Sequence, residues 1–316
     1  MLLTLTLTLA ALQDPPPPPP DPAQEREAAA LDAYDAFSRE NRPAPGATPE
    51  QVAERAKGLR ARLAAFAEQW TGTAASYRAL LDAAGLDLHL LNLPDDGLKL
   101  LSGIYDALKA RTEPLPQRAR LSAGLVGLQY AEELLRLERY GDAEPVLEEL
   151  AAAGGPEKAR ARAALRRLPL LRSLAIGQPL PAFTGTDLDG QEARLADFAG
   201  KVLLLDFWAT WCGPCRVEMP HLVAAYQQFH EQGFEILGVS LDQADSADAV
   251  RAFATDNHMP WRQIYDGGYH DAALARQYLV QVIPASILVD RKGVIRHRNL
   301  RGAALAQAVG ELLAEP

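Results

Sequence analysis

The chain has 316 residues, 48% of them hydrophobic and 23% charged. Length predicts about two domains, and the composition is that of a globular protein, which excludes a wholly disordered or collagen-like chain. The net charge is −9, with 21 basic against 24 acidic residues up to Arg172 and 11 against 17 after it, so neither half offers the basic surface a nucleic-acid partner requires.

The chain opens on an apolar run, LLTLTLTLAAL from Leu2 to Leu12. It is too short to cross a bilayer as a helix. It has the length of a signal-peptide core, and Ala10 and Ala11 supply the small residues that precede a cleavage site. No Lys or Arg stands before it. Residues 1–13 are therefore expected to be a signal peptide that places the protein outside the cytoplasm, in the periplasm or envelope. The alternative is a threonine/leucine strand or an unstructured end, and with it a cytoplasmic protein. No cysteine follows the run, so no lipid anchor is expected. Residues 14–23 hold six consecutive prolines, a stiff polyproline II spacer without backbone donors. Later apolar stretches are interrupted by charges before about 20 residues, so no integral membrane span is expected.

Residues 24–172 are rich in Ala, Leu, Arg and Glu, with breakers near Pro43–Pro49, Asn92–Gly97, Pro114–Pro116 and Gly154–Pro156. Leu59, Leu63, Phe66 and Trp70 follow one another three or four apart, and Leu121, Leu125, Leu128 and Leu135 keep a similar face. This spacing predicts an all-α domain of helix pairs joined by short turns. Ala131–Leu150 reads as a helix, a Tyr-Gly turn and a second helix opening on Ala143, a pattern similar to one tetratricopeptide pair. A solenoid needs about three such repeats, so an isolated hairpin in a bundle is expected. His89 stands alone in the sequence and reads as a surface or satisfied histidine rather than a ligand. This region is expected to bind or orient a protein partner, or to pack on its neighbour.

From Ser173 the pattern changes. Lys201–Trp208 is a nearly continuous apolar run, as a buried central strand requires. Cys212-Gly213-Pro214-Cys215 follows at once. Met219, Leu222, Val223, Tyr226 and Phe229 mark a helix that Gly233 ends. Phe234–Leu241 is a second strand and Ser246–His258 a helix. Ala285–Val289 and Val294–Arg298 are strands joined at Lys292-Gly293, a hairpin signal. Ala303–Leu313 closes the chain as a helix. The order β-α-β-α-β-β-α, with CxxC after the first long strand, predicts a thioredoxin-like α/β fold over 173–316. Cys212 and Cys215 are the only cysteines. A structural zinc site would need a second CxxC or paired histidines, and His221 has no mate at such spacing, so no metal is expected.

WCGPC at Trp211–Cys215 is the thioredoxin active-site motif, and the wider stretch IGQPLPAFTGTDLDGQEARLADFAGKVLLLDFWATWCGPCRVEMPHL resembles the TlpA/ResA-like branch of the redoxins. The resemblance covers about residues 174–316. It implies an extra N-terminal β-hairpin, here at Asp189-Gly190, and an insertion before the last strands, roughly Asp242 to Tyr278. It implies a thiol-disulfide oxidoreductase that reduces protein disulfides through a redox-active Cys212–Cys215 pair and needs no other cofactor. Its partners would be a protein disulfide substrate and an upstream dithiol electron donor. Cys212, where strand gives way to helix, is the expected nucleophile, because backbone N–H groups and the helix dipole favour its thiolate there. Cys215 is the expected resolving cysteine. Pro284 resembles the cis-proline opposite the motif, where the Ile283 backbone can pair with a substrate strand. Ala285 stands where many members have threonine. Trp211, Gly213 and Pro214 complete the expected substrate surface, and Trp208 reads as core.

Two acids join the expected site. Asp206, six residues before Cys212, resembles the buried proton-transfer acid of thioredoxins. Glu218, three after Cys215, matches a glutamate that ResA-like proteins carry near the pair. The lysine that thioredoxins place beside their acid corresponds to Gly238. Pro220 matches the helix-kink proline. Two other functions compete with this one. A thiol peroxidase needs Pro-x-x-x-Thr-x-x-Cys, but Ala209 takes the threonine position and Phe207–Thr210 holds no proline. A partner-recruiting helical protein with an accessory redox domain is the remaining alternative.

Overall fold

A computed structural model describes residues 21–41 and 48–315. The expected signal segment 1–13 and most of the proline tract lie outside the described residues. The chain divides into two compact units, one ending at Arg162 and one beginning at Ala163.

The first unit is all-α, as its composition predicts. Its helices are α1 (Pro22–Glu40), α2 (Pro49–Gln69), α3 (Ala74–His89), α4 (Pro94–Lys109), α5 (Ala123–Arg136) and α6 (Tyr140–Ala152), and α7 (Lys158–Ser173) runs on across the division. Polar side chains cap α1, α2, α3 and α5. Asp21 accepts from the Ala23 amide at 2.9 Å, Thr48 and Gln51 form a reciprocal capping box, and Thr73 and Ser122 cap α3 and α5, each satisfying amides that the first turn leaves open. From α2 to α6 each helix packs on the next, while α1 packs on α3. Ala74, Ala75, Ala79 and Ala83 let α3 approach its neighbours closely, around Leu31, Tyr34, Leu63 and Phe66.

The expected hairpin is α5–α6, with its turn earlier than the sequence suggests. Tyr140 and Gly141 belong to α6, and the reversal lies at Leu137–Arg139. Glu138 takes the left-handed conformation there, at φ 57°, and the Arg139 amide closes back on the Leu134 carbonyl at 2.8 Å. Glycine is the usual residue at that position, so Gly141 drew the prediction to the wrong place.

The second unit takes in the last part of α7, with Leu170 and Leu174 joining its core. A two-stranded hairpin follows, β1 (Thr184–Thr186) and β2 (Glu192–Arg194), with Gly190 at φ 76° in its turn. Then come β3 (Val202–Trp208), α8 (Gly213–Phe229), β4 (Phe234–Ser240), α9 (Ala247–Asp256), β5 (Gln263–Tyr265), α10 (Ala273–Gln277), β6 (Ala285–Val289), β7 (Ile295–Arg298) and α11 (Ala303–Ala314). The sheet order is β5-β4-β3-β6-β7. β3, β4 and β5 are parallel, while β6 and β7 run antiparallel to their neighbours. This is the thioredoxin-like fold expected from 173 onward. β3 lies at the centre and every residue of it is buried, which is why its sequence is continuous rather than alternating. The edge strand β5 within the insertion is the one element of the sheet without a sequence signal.

Candidate functional site

β3 delivers the chain to the site. Its last residue, Trp208, is fully buried, and its indole N–H donates to Gln263 Oε1 at 2.9 Å. The loop that leaves it is held from β4. Asp242 accepts from the Thr210 amide at 3.0 Å, from Thr210 Oγ1 at 2.5 Å and from Ser240 Oγ at 2.8 Å. These bonds fix the entry to the cysteines, and no motif in the sequence announced them.

Cys212 is the N-cap of α8, and Cys215 lies in its first turn. Pro214 fits there because that turn has no use for its missing amide. The two sulfurs are joined as a disulfide. The Cys215 amide donates to Cys212 Sγ at 3.2 Å. Cys212 keeps 4% of its surface exposed, while Cys215 keeps none. Of the two, Cys212 is the one an incoming disulfide can reach, and it sits where N–H groups stabilise a thiolate. Gly213 and Pro214 are exposed beside it.

The Ile283–Pro284 bond is cis. β3 and β6 pair with Phe207 opposite Ala285, so Ile283 and Pro284 stand at the end of the sheet from which the cysteine loop departs. Trp211 is 48% exposed, and its ring meets Tyr269 at 5.4 Å between centroids. Two exposed valines flank these residues in sequence, Val217 on α8 and Val282 before Ile283, at 71% and 78% exposure. Tyr269 extends the apolar surface expected from Trp211. Neither Tyr269 nor the two valines carried a signal in the sequence.

Asp206 is buried in β3 and pairs with Gly238 of β4 on one side and Ser286 of β6 on the other. Its Oδ2 is buried without a hydrogen-bond partner among the described residues. Burial pushes its carboxyl up to about 7, Arg301 opposes that rise and Glu218 adds to it. Glu218 is half-buried on α8, and its Oε2 accepts from the Gly302 amide at 2.9 Å. The lysine position is thus glycine in the register, as the sequence indicates. The cation whose charge acts on Asp206 is Arg301 instead, which the sequence reading missed. Among the described residues, no group of three or more His, Cys, Asp or Glu is placed to hold a metal ion. None of the described helices is long and apolar enough to cross a membrane.

Comparison with known proteins matches the same unit. Residues 176–298 fit the AhpC/TSA family. Thiol-disulfide oxidoreductase ResA of Bacillus thuringiensis subsp. konkukian is 35% identical over 140 residues, which are 44% of this chain and 78% of that protein. The thioredoxin-like protein YneN of Bacillus subtilis is 33% identical over 121 residues, 38% of this chain and 68% of that one. Among solved structures, the thioredoxin domain of a thiol-disulfide oxidoreductase from Bacteroides vulgatus is 34% identical with a TM-score of 0.41, covering 44% of this chain and 98% of that one. Through its C-terminal unit, the chain belongs to the ResA-like thiol-disulfide oxidoreductases.

Proposed function

We propose that this oxidoreductase works as a reductant of protein disulfides outside the cytoplasm. The observation that carries the reading is the pairing of an accessible, helix-capping Cys212 with a fully buried Cys215. In the reduced enzyme the Cys212 thiolate attacks one sulfur of the substrate disulfide. A mixed disulfide forms and the first substrate thiolate leaves. Cys215 then loses its proton and attacks Cys212 Sγ, which releases the second substrate thiolate. Two electrons pass to the substrate, and the enzyme ends in the disulfide form described above. An upstream dithiol returns it to the dithiol form, and no other cofactor enters the cycle.

Asp206 accepts the Cys215 proton. A carboxyl near 7 can take a proton and return it at neutral pH, whereas an ordinary carboxylate is too weak a base. Trp211, Gly213, Pro214 and the Ile283–Pro284 backbone form the surface for an extended substrate strand. Export is supported by the apolar run at residues 2–12, and mass spectrometry of the mature protein should find residues 1–13 removed.

The test of the redox cycle is insulin reduction with a dithiol donor. Cys212→Ala should abolish turnover, because no covalent intermediate can form without it. Cys215→Ser should instead accumulate the mixed disulfide. Measurable turnover by Cys212→Ala would refute the mechanism.

A further inference from the structure

Four residues form a row across one face of the sheet: Gln263, Gly238, Asp206 and Ser286, in register from β5 to β6. On the β4 side, Asp206 meets no charge. A Cβ at Gly238 would lie 1.9 Å from Gln263 Oε1, and that oxygen is already committed to Trp208. The other flank is different. Arg301, in the loop between β7 and α11, donates to Ser286 Oγ at 3.3 Å, to the Leu300 carbonyl at 2.8 Å and to the Pro284 carbonyl. Ser286 is the residue directly opposite Asp206, and such pairs stand about 5 Å apart at Cβ. A guanidinium on Ser286 is therefore within reach of the Asp206 carboxyl. The next residue, Gly302, donates its amide to Glu218.

We infer that Arg301 is a positioning residue of the redox site: one guanidinium holds the Pro284 carbonyl beside the substrate strand and supplies the countercharge that faces Asp206. The inference rests on reading Asp206 as the proton acceptor for Cys215. The groups facing Asp206 are Arg301 from the loop before α11, Glu218 and the reduced Cys215 from α8, and the uncharged Gly238 and Ser286 from the neighbouring strands. Arginine suits both tasks because its planar fork reaches two acceptors at once. A lysine can keep the charge but not the double hold.

The experiment compares the full-length wild type with Arg301→Gln and Arg301→Lys. Infrared spectroscopy follows the C=O band of the protonated Asp206 carboxyl, identified by its loss in Asp206→Asn. The kinetic parameters kcat and KM for insulin reduction are measured over the same pH range. Arg301→Gln should move the carboxyl midpoint upward and lower the rate at pH 7 about tenfold, with recovery at alkaline pH. Arg301→Lys should leave the midpoint in place but raise KM several-fold. A midpoint unmoved in Arg301→Gln, or moved equally in Arg301→Lys, overturns the inference. If Arg301→Gln does not fold, Arg301→Lys decides alone, and an unchanged KM overturns it. Wild-type rates in Asp206→Asn at every pH defeat only the proton-acceptor reading, because the infrared midpoint still judges Arg301.

Discussion

A carboxyl moved from its ordinary value of 3.8 to about 7 by burial binds its proton more tightly in the folded chain than in the unfolded one. The stability it contributes is fully present below about pH 4 and is lost as pH rises through about 7. Ionised, it costs the folded state roughly 4 kcal/mol. Asp206→Asn removes that cost, in which the opposing pull of Arg301 is already counted. Urea unfolding should therefore find the variant increasingly more stable than wild type between about pH 4 and 8, by at most about 4 kcal/mol. A difference that does not change with pH would mean that Asp206 is an ordinary strand residue. The same row of side chains makes a second prediction. Gly238→Ala forces Gln263 to release Trp208, because the new Cβ falls on Gln263 Oε1. It should lower stability by about 1–3 kcal/mol, measurable by thermal unfolding. Cys212, Cys215, Asp206 and Gly238 could be found by counting from one motif. Arg301 could not, since it stands 86 residues after Cys215 and reaches the site through the Ser286 hydroxyl and two backbone carbonyls, none of which has a sequence pattern.

Among the elements, legibility followed length and burial. β3 was readable because a central strand buried on both faces must be apolar throughout, and α8 because its apolar face recurs at helical spacing. β5 has three residues, too few for any period to show. The turn between α5 and α6 was displaced because Glu138, not a glycine, takes the left-handed conformation. The loop before the cysteines shows the same limit. Its order comes from Asp242, just past the end of β4, which is buried and fully engaged with Thr210 and Ser240. Asp242→Ala leaves these donors without their acceptor, in a site too buried for water to replace every bond. The expected loss is about 2–4 kcal/mol of stability. Because the loop sets the position of Cys212, insulin reduction should also slow. Asp242→Asn keeps one acceptor oxygen and should lose less of both. Equal behaviour of the two variants would show that the loop is held by its backbone alone.

At the scale of the whole molecule, the two units carry separate cores. One aromatic and alanine-rich cluster runs from Ala30 to Ala119, and a second gathers Ile104, Tyr105, Leu108 and Val126. The redox core begins at Leu174 and ends at Leu312. A domain with its own core can fold alone. The cysteine pair, the Ile283–Pro284 loop, both acids and Arg301 all lie in the second unit. Calorimetry of the full chain should then resolve two transitions, and reduction of the disulfide should move only one of them. A fragment that starts at Lys158 keeps α7 whole and the redox core with it. It should reduce insulin within about twofold of the full-length rate, because insulin is a generic substrate that draws only on the surface around Cys212. If the helical unit recruits a specific partner, its removal should raise KM for that partner and leave kcat alone, since the reacting atoms are untouched. An inactive or unfolded fragment, or one cooperative transition in the full chain, would show instead that the redox unit depends on the helices to fold.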